Sequence, residues 1–240
     1  MRKIITILSV LMFILVSCGQ ATKKQAETAS SEIVGEQEKD NSIEQEESDN
    51  SIIEKEEKVF RQIELDEKIG NRTLKDYLSD EKIPKVFKDV FLQKCALNDD
   101  DETLALIDSL FSTDKERHPF YFVLVTRATW WSDGAFSEPL GMAIKEYVES
   151  NTQQLLDYFS TEAVLTQFDF KQWAKYTLCE ILIESDENIK EVENTRNLMK
   201  KNCNGCSPEK IKMIDKFIEC MYAEYEEIQR INREWERNNL

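Results

Sequence analysis

Cys203-Asn204-Gly205-Cys206 is the one stretch of this chain whose spacing alone carries chemistry. Two cysteines separated by two residues support thiol–disulfide exchange when the first sits at a helix N-terminus. There the helix dipole lowers its pKa and leaves a nucleophilic thiolate. Here the helix signal, Ser207-Pro208, follows the motif, and no strand–helix–strand pattern surrounds it. The motif therefore reads as a structural bridge, with Asn204-Gly205 supplying the turn of a small ring. A redox pair of Cys203 and Cys206 is the alternative. Zinc would need four ligands, whereas the chain offers one CxxC and a single histidine, His118. Cys179 and Cys220 join Cys203 and Cys206 as disulfide candidates, and spacing does not assign the pairs. Cys95 is expected to be a buried free thiol in a helix carrying Val86, Val90 and Phe91.

Asp99-Asp100-Asp101-Glu102 has the composition of a metal cluster but stands just before Leu104, Leu106, Ile107 and Leu110. At a helix start such carboxylates cap the free N–H groups and oppose the dipole, and a calcium loop's central glycine and closing glutamate are missing. His118 precedes Pro119 at another helix start, with no serine or cysteine motif nearby, which favours a structural role. The chain contains no GxSxG, no HExxH and no phosphate-binding glycine loop, so no catalytic residue, metal site or cofactor is expected. Trp130, Trp131 and Phe136 surround the Ser132-Asp133-Gly134 turn. Adjacent helical residues point about 100° apart, so one of the two tryptophans is expected at the surface, and this turn is the candidate partner-binding feature.

The elements that must position these residues are helical. Phe170, Trp173, Ala174, Thr177, Leu178, Ile181 and Leu182 mark one face of a 3.6-residue period, and Asp169 with Gln172 has capping-box spacing. Asn151 precedes Leu155, Leu156 and Phe159 in the same manner. Ser137-Glu138-Pro139 predicts a helix start with proline in the first turn, and Asp133-Gly134 the turn that ends the helix before it. Phe120–Val125 has the composition of a strand but no partner strand, and is read as a buried helix from near Pro119 to Trp130-Trp131. The longest helix runs from Ser207-Pro208 to about Arg237. Ile211, Ile214, Ile218, Met221, Tyr225, Ile228, Asn232 and Trp235 form a seam along it, with Met213, Phe217 and Cys220 as a second face in its first half. The fold class is all-α, with antiparallel helix pairs closing as an irregular bundle or a short solenoid. Period and loop length between Asn98 and Ser185 resemble the HEAT-type arrangement.

Charge is unevenly spread over the 240 residues, whose formal net charge is −16. Between Glu27 and Glu57 twelve acidic residues face two lysines and there is no aromatic, so residues 18–57 are expected to be a disordered, self-repelling tether. Residues 58–240 form the helical domain, still acidic by about ten charges. That excess weighs against nucleic acid and anionic lipid headgroups, which need clustered lysine and arginine, and is compatible with a basic partner.

At the N-terminus, Arg2 and Lys3 precede a mostly apolar run from Ile4 to Val16, and Leu15-Val16-Ser17-Cys18 follows the order of a secretory signal peptide's cleavage site. The run is too short for a hydrocarbon core about 30 Å thick. These residues resemble the lipobox of bacterial lipoprotein precursors. The resemblance covers the first eighteen residues. It implies a signal peptide over 1–17, cleavage before Cys18, acyl chains on Cys18 and a lipid anchor in the bacterial cell envelope. Gly19 is not the aspartate that retains many enterobacterial lipoproteins at the inner membrane, and the leaflet stays open.

Together these features point to an envelope lipoprotein whose helical domain holds a protein partner at the membrane without catalysis. One concrete form is an immunity-type lipoprotein that neutralises a basic toxin. The alternatives are the redox protein already described and a subunit of an envelope assembly joined through the C-terminal seam.

Overall fold

The computed structural model describes residues 61–239 except 99, 133 and 185–187. The expected signal peptide (1–17), Cys18 and the tether (18–57) lie outside the described residues. A two-stranded ribbon, β1 (Lys68–Ile69) and β2 (Arg72–Thr73), leads into α1 (Leu74–Ser79), α2 (Lys85–Phe91) and α3 (Asp101–Asp108) with its 3₁₀ extension Ser109–Phe111. Six longer helices follow: α4 (His118–Ala128), α5 (Gly134–Ser150), α6 (Thr152–Thr161), α7 (Gln167–Glu184), α8 (Asn188–Asn202) and α9 (Pro208–Asn239). The described chain is thus a mostly helical bundle, and the ribbon is its one departure from an all-α content. No helix among the described residues is long and apolar enough to cross a membrane.

Helix α4 settles where the core lies. Every side chain from Phe120 to Ala128 is buried, so the apolar run that resembles a strand is a helix surrounded on all sides. Phe122 stacks on Trp173 of α7 at 4.8 Å and on Tyr158 of α6 at 4.5 Å. The Trp173 indole N–H donates to Thr126 Oγ1 at 2.9 Å, so the largest core side chain is both packed and satisfied.

Around α4 the chain returns to one direction at uneven intervals. Gly141 lies against Glu180 and Lys145 meets Glu184, each 39 residues on, so α5 runs parallel to α7. Gln167 meets Lys216 and Lys175 meets Glu224, each 49 residues on, so α9 runs parallel to α7 on its other side. Helix α8 returns antiparallel to α9, with Glu193 against Tyr222 and Lys200 against Asp215. Unequal steps leave no residue-level repeat, which is why the bundle is irregular.

Several helix boundaries differ from the sequence expectation. The cap of α7 is Thr166, whose Oγ1 accepts from the Asp169 N–H at 3.2 Å, while Asp169 Oδ2 accepts from the Thr166 N–H at 2.7 Å. Asp169 therefore closes a capping box from inside the helix instead of opening one. Helix α5 begins at Gly134, so Pro139 lies inside it and Gly134 does not end the preceding helix. The carbonyl that Pro139 leaves without a donor belongs to exposed Ala135, where water can serve it. Ser137 is buried and donates to Ser132 Oγ at 3.0 Å instead of capping. Helix α2 stops at Phe91, where left-handed Gln93 (φ 55°) lets the Lys94 N–H reach the Asp89 carbonyl. Cys95 is consequently a half-buried thiol in the following loop, not in the helix.

The ribbon turns at Gly70-Asn71, with Ile69 paired to Arg72 and Gly70 at φ +60°. Glycine at the first central position matches a II′ hairpin turn. The Gly70 N–H donates to Glu162 at the end of α6 at 2.7 Å, and a Cβ built there would stand 3.0 Å from the Pro119 ring. Substituting Gly70→Ala should cost about 1–3 kcal/mol through backbone strain and this contact. Urea unfolding of the variant should show a lower midpoint at unchanged slope.

Candidate functional site

The cysteine motif fills the turn between α8 and α9. Cys203 and Cys206 are bridged, with a Cα–Cα distance of 5.3 Å, and Gly205 adopts φ +80° within the ring. Cys203 is buried, Cys206 is half-buried, and Ser207 then caps α9 by accepting from the Lys210 N–H at 3.4 Å. The bridge thus pins the end of one helix to the beginning of the next.

Cys179 and Cys220 do not pair with each other. The 49-residue register between α7 and α9 sets Cys179 level with Ile228 and Cys220 level with Lys171. The two cysteines are therefore eight residues apart along the axis, about 12 Å, beyond the reach of a disulfide. Both are free thiols. Burial pushes the Cys179 thiol up to about 11 and also raises Cys220 and Cys95, so all three are protonated at neutral pH.

Asp100 caps α3 by accepting from the Thr103 N–H at 2.9 Å, a bond that lowers its pKa, while Asp99 lies outside the described residues. No group of three His, Cys, Asp or Glu among the described residues is arranged to hold a metal. His118 is buried. Its Nε2 lies 2.8 Å from the Leu110 carbonyl, which can only accept, so the proton is on Nε2. Nδ1 then accepts from the Tyr158 hydroxyl at 2.6 Å. Burial lowers the His118 pKa and keeps the ring neutral.

Trp130 and Trp131 are both half-buried, so neither is the exposed ring that the period argument expected. The Trp130 indole donates to Asp169 Oδ1 at 2.8 Å, the Arg127 guanidinium lies over the Trp131 ring at 5.9 Å, and Phe136 is fully buried. The three side chains enclose the edge of the core. The exposed tryptophan is Trp235, near the end of α9.

A concave surface is found elsewhere, between α5, the end of α7 and α8. A groove of about 440 Å³ is lined by Met142, Lys145, Glu146, Glu149, Glu184 and Leu198, among others. A neighbouring recess of about 270 Å³ adds Ile181 and Glu191. Met142 is 50 % exposed and Leu198 38 %, while the apolar stripe of α5 (Phe136, Leu140, Ile144, Tyr147, Val148) is buried. The groove wall is tied together. Thr195 of α8 donates to Glu149 Oε1 at 2.8 Å, Asn202 donates to the Glu149 carbonyl at 2.6 Å, and Lys145 pairs with Glu184 at 2.9 Å. Burial opposes the charge on Lys145. The bond to Glu184 and the fields of Glu149 and Glu180 outweigh it and hold the ammonium above the ordinary lysine value. Glu180, buried against Gly141, is pushed up by burial and by Glu184. This arrangement is suited to docking an apolar side chain flanked by cations. The sequence signal for it was an apolar residue out of period: Met142 misses the α5 stripe, and Leu198 misses the Val192, Thr195 and Met199 face of α8.

No known protein family, curated protein or solved structure matches the chain.

His118 is the single histidine, which isolates its titration. Its folded pKa lies below the unfolded value, so folding requires the neutral ring and stability falls as pH drops below about 6.5. The limiting slope is about 1.4 kcal/mol per pH unit until the folded pKa is passed. Denaturation at pH 7.5, 6.5 and 5.5 should show this loss. His118→Gln, whose amide can still reach the Leu110 carbonyl, should flatten it.

Proposed function

We propose that this chain is a lipid-anchored bacterial envelope protein whose helical domain is a non-catalytic docking module, and that its partner seats in the groove between α5, α7 and α8. The observation that carries the docking site is the exposure of Met142 and Leu198 across one groove, on helices whose other apolar side chains are largely buried. Water-exposed apolar groups in a concavity gain from being covered, and a well-filled pocket of this kind is where interface energy concentrates. The anchor rests on the residues that resemble a lipobox, with Cys18 as the acylated residue. An immunity-type role is the concrete form that an anchor, an acidic domain and a size of about two hundred residues after processing support. The bridge at Cys203 and Cys206 serves here as a clamp between α8 and α9, the two helices that hold Leu198 and the C-terminal stripe.

Trp235, 48 % exposed, favours a second reading in which the end of α9 joins an envelope assembly. One experiment separates the two. The tagged full-length chain is expressed in a bacterial host, the membranes are solubilised in mild detergent, and captured proteins are identified by mass spectrometry. A stoichiometric partner retained by Trp235→Ala and lost with Met142→Asp supports the groove, whereas the reverse pattern supports the C-terminal stripe. In the same host, Cys18→Ala should abolish incorporation of labelled palmitate and free the protein from its lipid anchor. Labelling that survives this change sinks the lipoprotein reading.

A further inference from the structure

The groove's charge narrows what can fill it, an inference that rests on the docking reading above. We infer that it takes a basic amphipathic segment of another protein, with lysine or arginine meeting Glu146, Glu149, Glu184 and Glu191 and an apolar side chain seated between Met142 and Leu198. Across the groove and its recess, four glutamates face one lysine. That lysine, Lys145, is committed to Glu184. Glu149 gives one oxygen to Thr195 and keeps the other, and exposed Glu146 forms no ion pair with any described residue. Acceptors are therefore left over where donors are few.

Sign decides among the occupants. The chain's own segment from Glu27 to Glu57, with twelve acidic residues to two lysines, would add repulsion. A second copy carries the same net −16, and an anionic lipid surface has the same sign. Only a basic partner neutralises the wall on docking. The apolar floor adds an anchor that a purely ionic contact lacks, because exposed ion pairs alone contribute little. The Met142 thioether is flexible and polarizable, so it adapts to leucine, isoleucine or an aromatic ring alike. About 440 Å³ is room for one or two such side chains, not for a folded domain.

The test uses the full chain in nanodiscs of zwitterionic lipid, with empty nanodiscs as blank. The probe is a fluorescein-labelled 14-residue helical peptide carrying two leucines at i and i+4 among lysines. A companion peptide has every lysine replaced by glutamine. Anisotropy titrations should show the lysine peptide binding about tenfold more tightly than the glutamine peptide, with affinity falling as salt rises. The double variant Glu146→Gln/Glu184→Gln should lose about tenfold, and so should Met142→Ser/Leu198→Ser. Glu219→Gln/Glu226→Gln, which removes the same charge from the exposed side of α9, should change binding less than twofold. Equal loss in the α9 pair and the groove pair would mean diffuse attraction and would overturn the site. A glutamine peptide that binds as well as the lysine peptide, and still depends on Met142, would overturn the basic occupant while leaving a docking groove. Absence of binding by either peptide overturns the basic segment, and capture of a partner through Met142 remains a separate outcome.

Discussion

Helix α4 is the constraint on which the rest of the structure depends. A helix with apolar side chains all round it, and only His118, Thr126 and Arg127 polar, leaves no face for water, so other elements must cover it on every side. The ribbon and the short helices α1 to α3 supply one side: Phe91 stacks on Phe120 at 5.2 Å and Phe87 meets Tyr121 edge to face. Helices α5, α6 and α7 supply the other through Tyr147, Tyr158 and Trp173, all against Phe122. Two of the polar groups that this arrangement buries are matched locally. Thr126 takes the Trp173 indole, and His118 links the Leu110 carbonyl to Tyr158. Each bond adds little net stability, but an unmatched donor in this interior would cost about 1–3 kcal/mol.

Legibility in the sequence followed the same division between stripe and cap. Apolar period reported the helices because burial of a stripe is what stabilises them, and α4 was recoverable because a lone strand leaves its backbone groups unpaired. Helix starts were less legible. Asp169 lies at a position where a carboxylate works equally well as first cap or as the third residue of a capping box, and only Thr166 distinguishes the two. The Cys203–Cys206 bridge was among the pairings that spacing allowed, since a four-residue turn closes that ring. What excludes Cys179 with Cys220 is the parallel register of α7 and α9, which depends on contacts 49 residues apart and leaves no local trace.

The full exposure expected of one of the two tryptophans fails for a physical reason. Trp130 and Trp131 are adjacent, and the period argument sends one outward, but it treats the helix as continuing. Here α4 ends at Ala128, and the two rings sit in a turn where the 100° step no longer applies. The turn folds Trp130 onto Asp169 and leaves Trp131 beside Arg127. Composition highlights large aromatics, yet in this chain they are largely spent on the core. Exposure at the groove belongs instead to Met142 and Leu198, side chains that carry no motif.

Those two residues are best understood through what their helices did not need. Leu140, Ile144, Tyr147 and Val148 already fill the buried face of α5, and Val192 and Met199 do the same for α8. An apolar residue off such a stripe is only partly covered by folding, and the area left in water gains only if another molecule covers it. Around them, the α5–α7 seam is neutralised from the inside. Glu180 lies against Gly141, and Lys145, one turn further, is drawn between Glu180, Glu184 and Glu149. One cation thus serves several carboxylates, and the surplus negative charge is pushed to the outer rim of the groove. The rim's field reaches about a Debye length, roughly 8 Å at physiological salt, before screening removes it. A cationic segment would be attracted before it makes contact, and the apolar floor would hold it once water is expelled. Attraction by charge and retention by burial are separate terms with different salt dependence, and this groove holds both within one helical turn of α5.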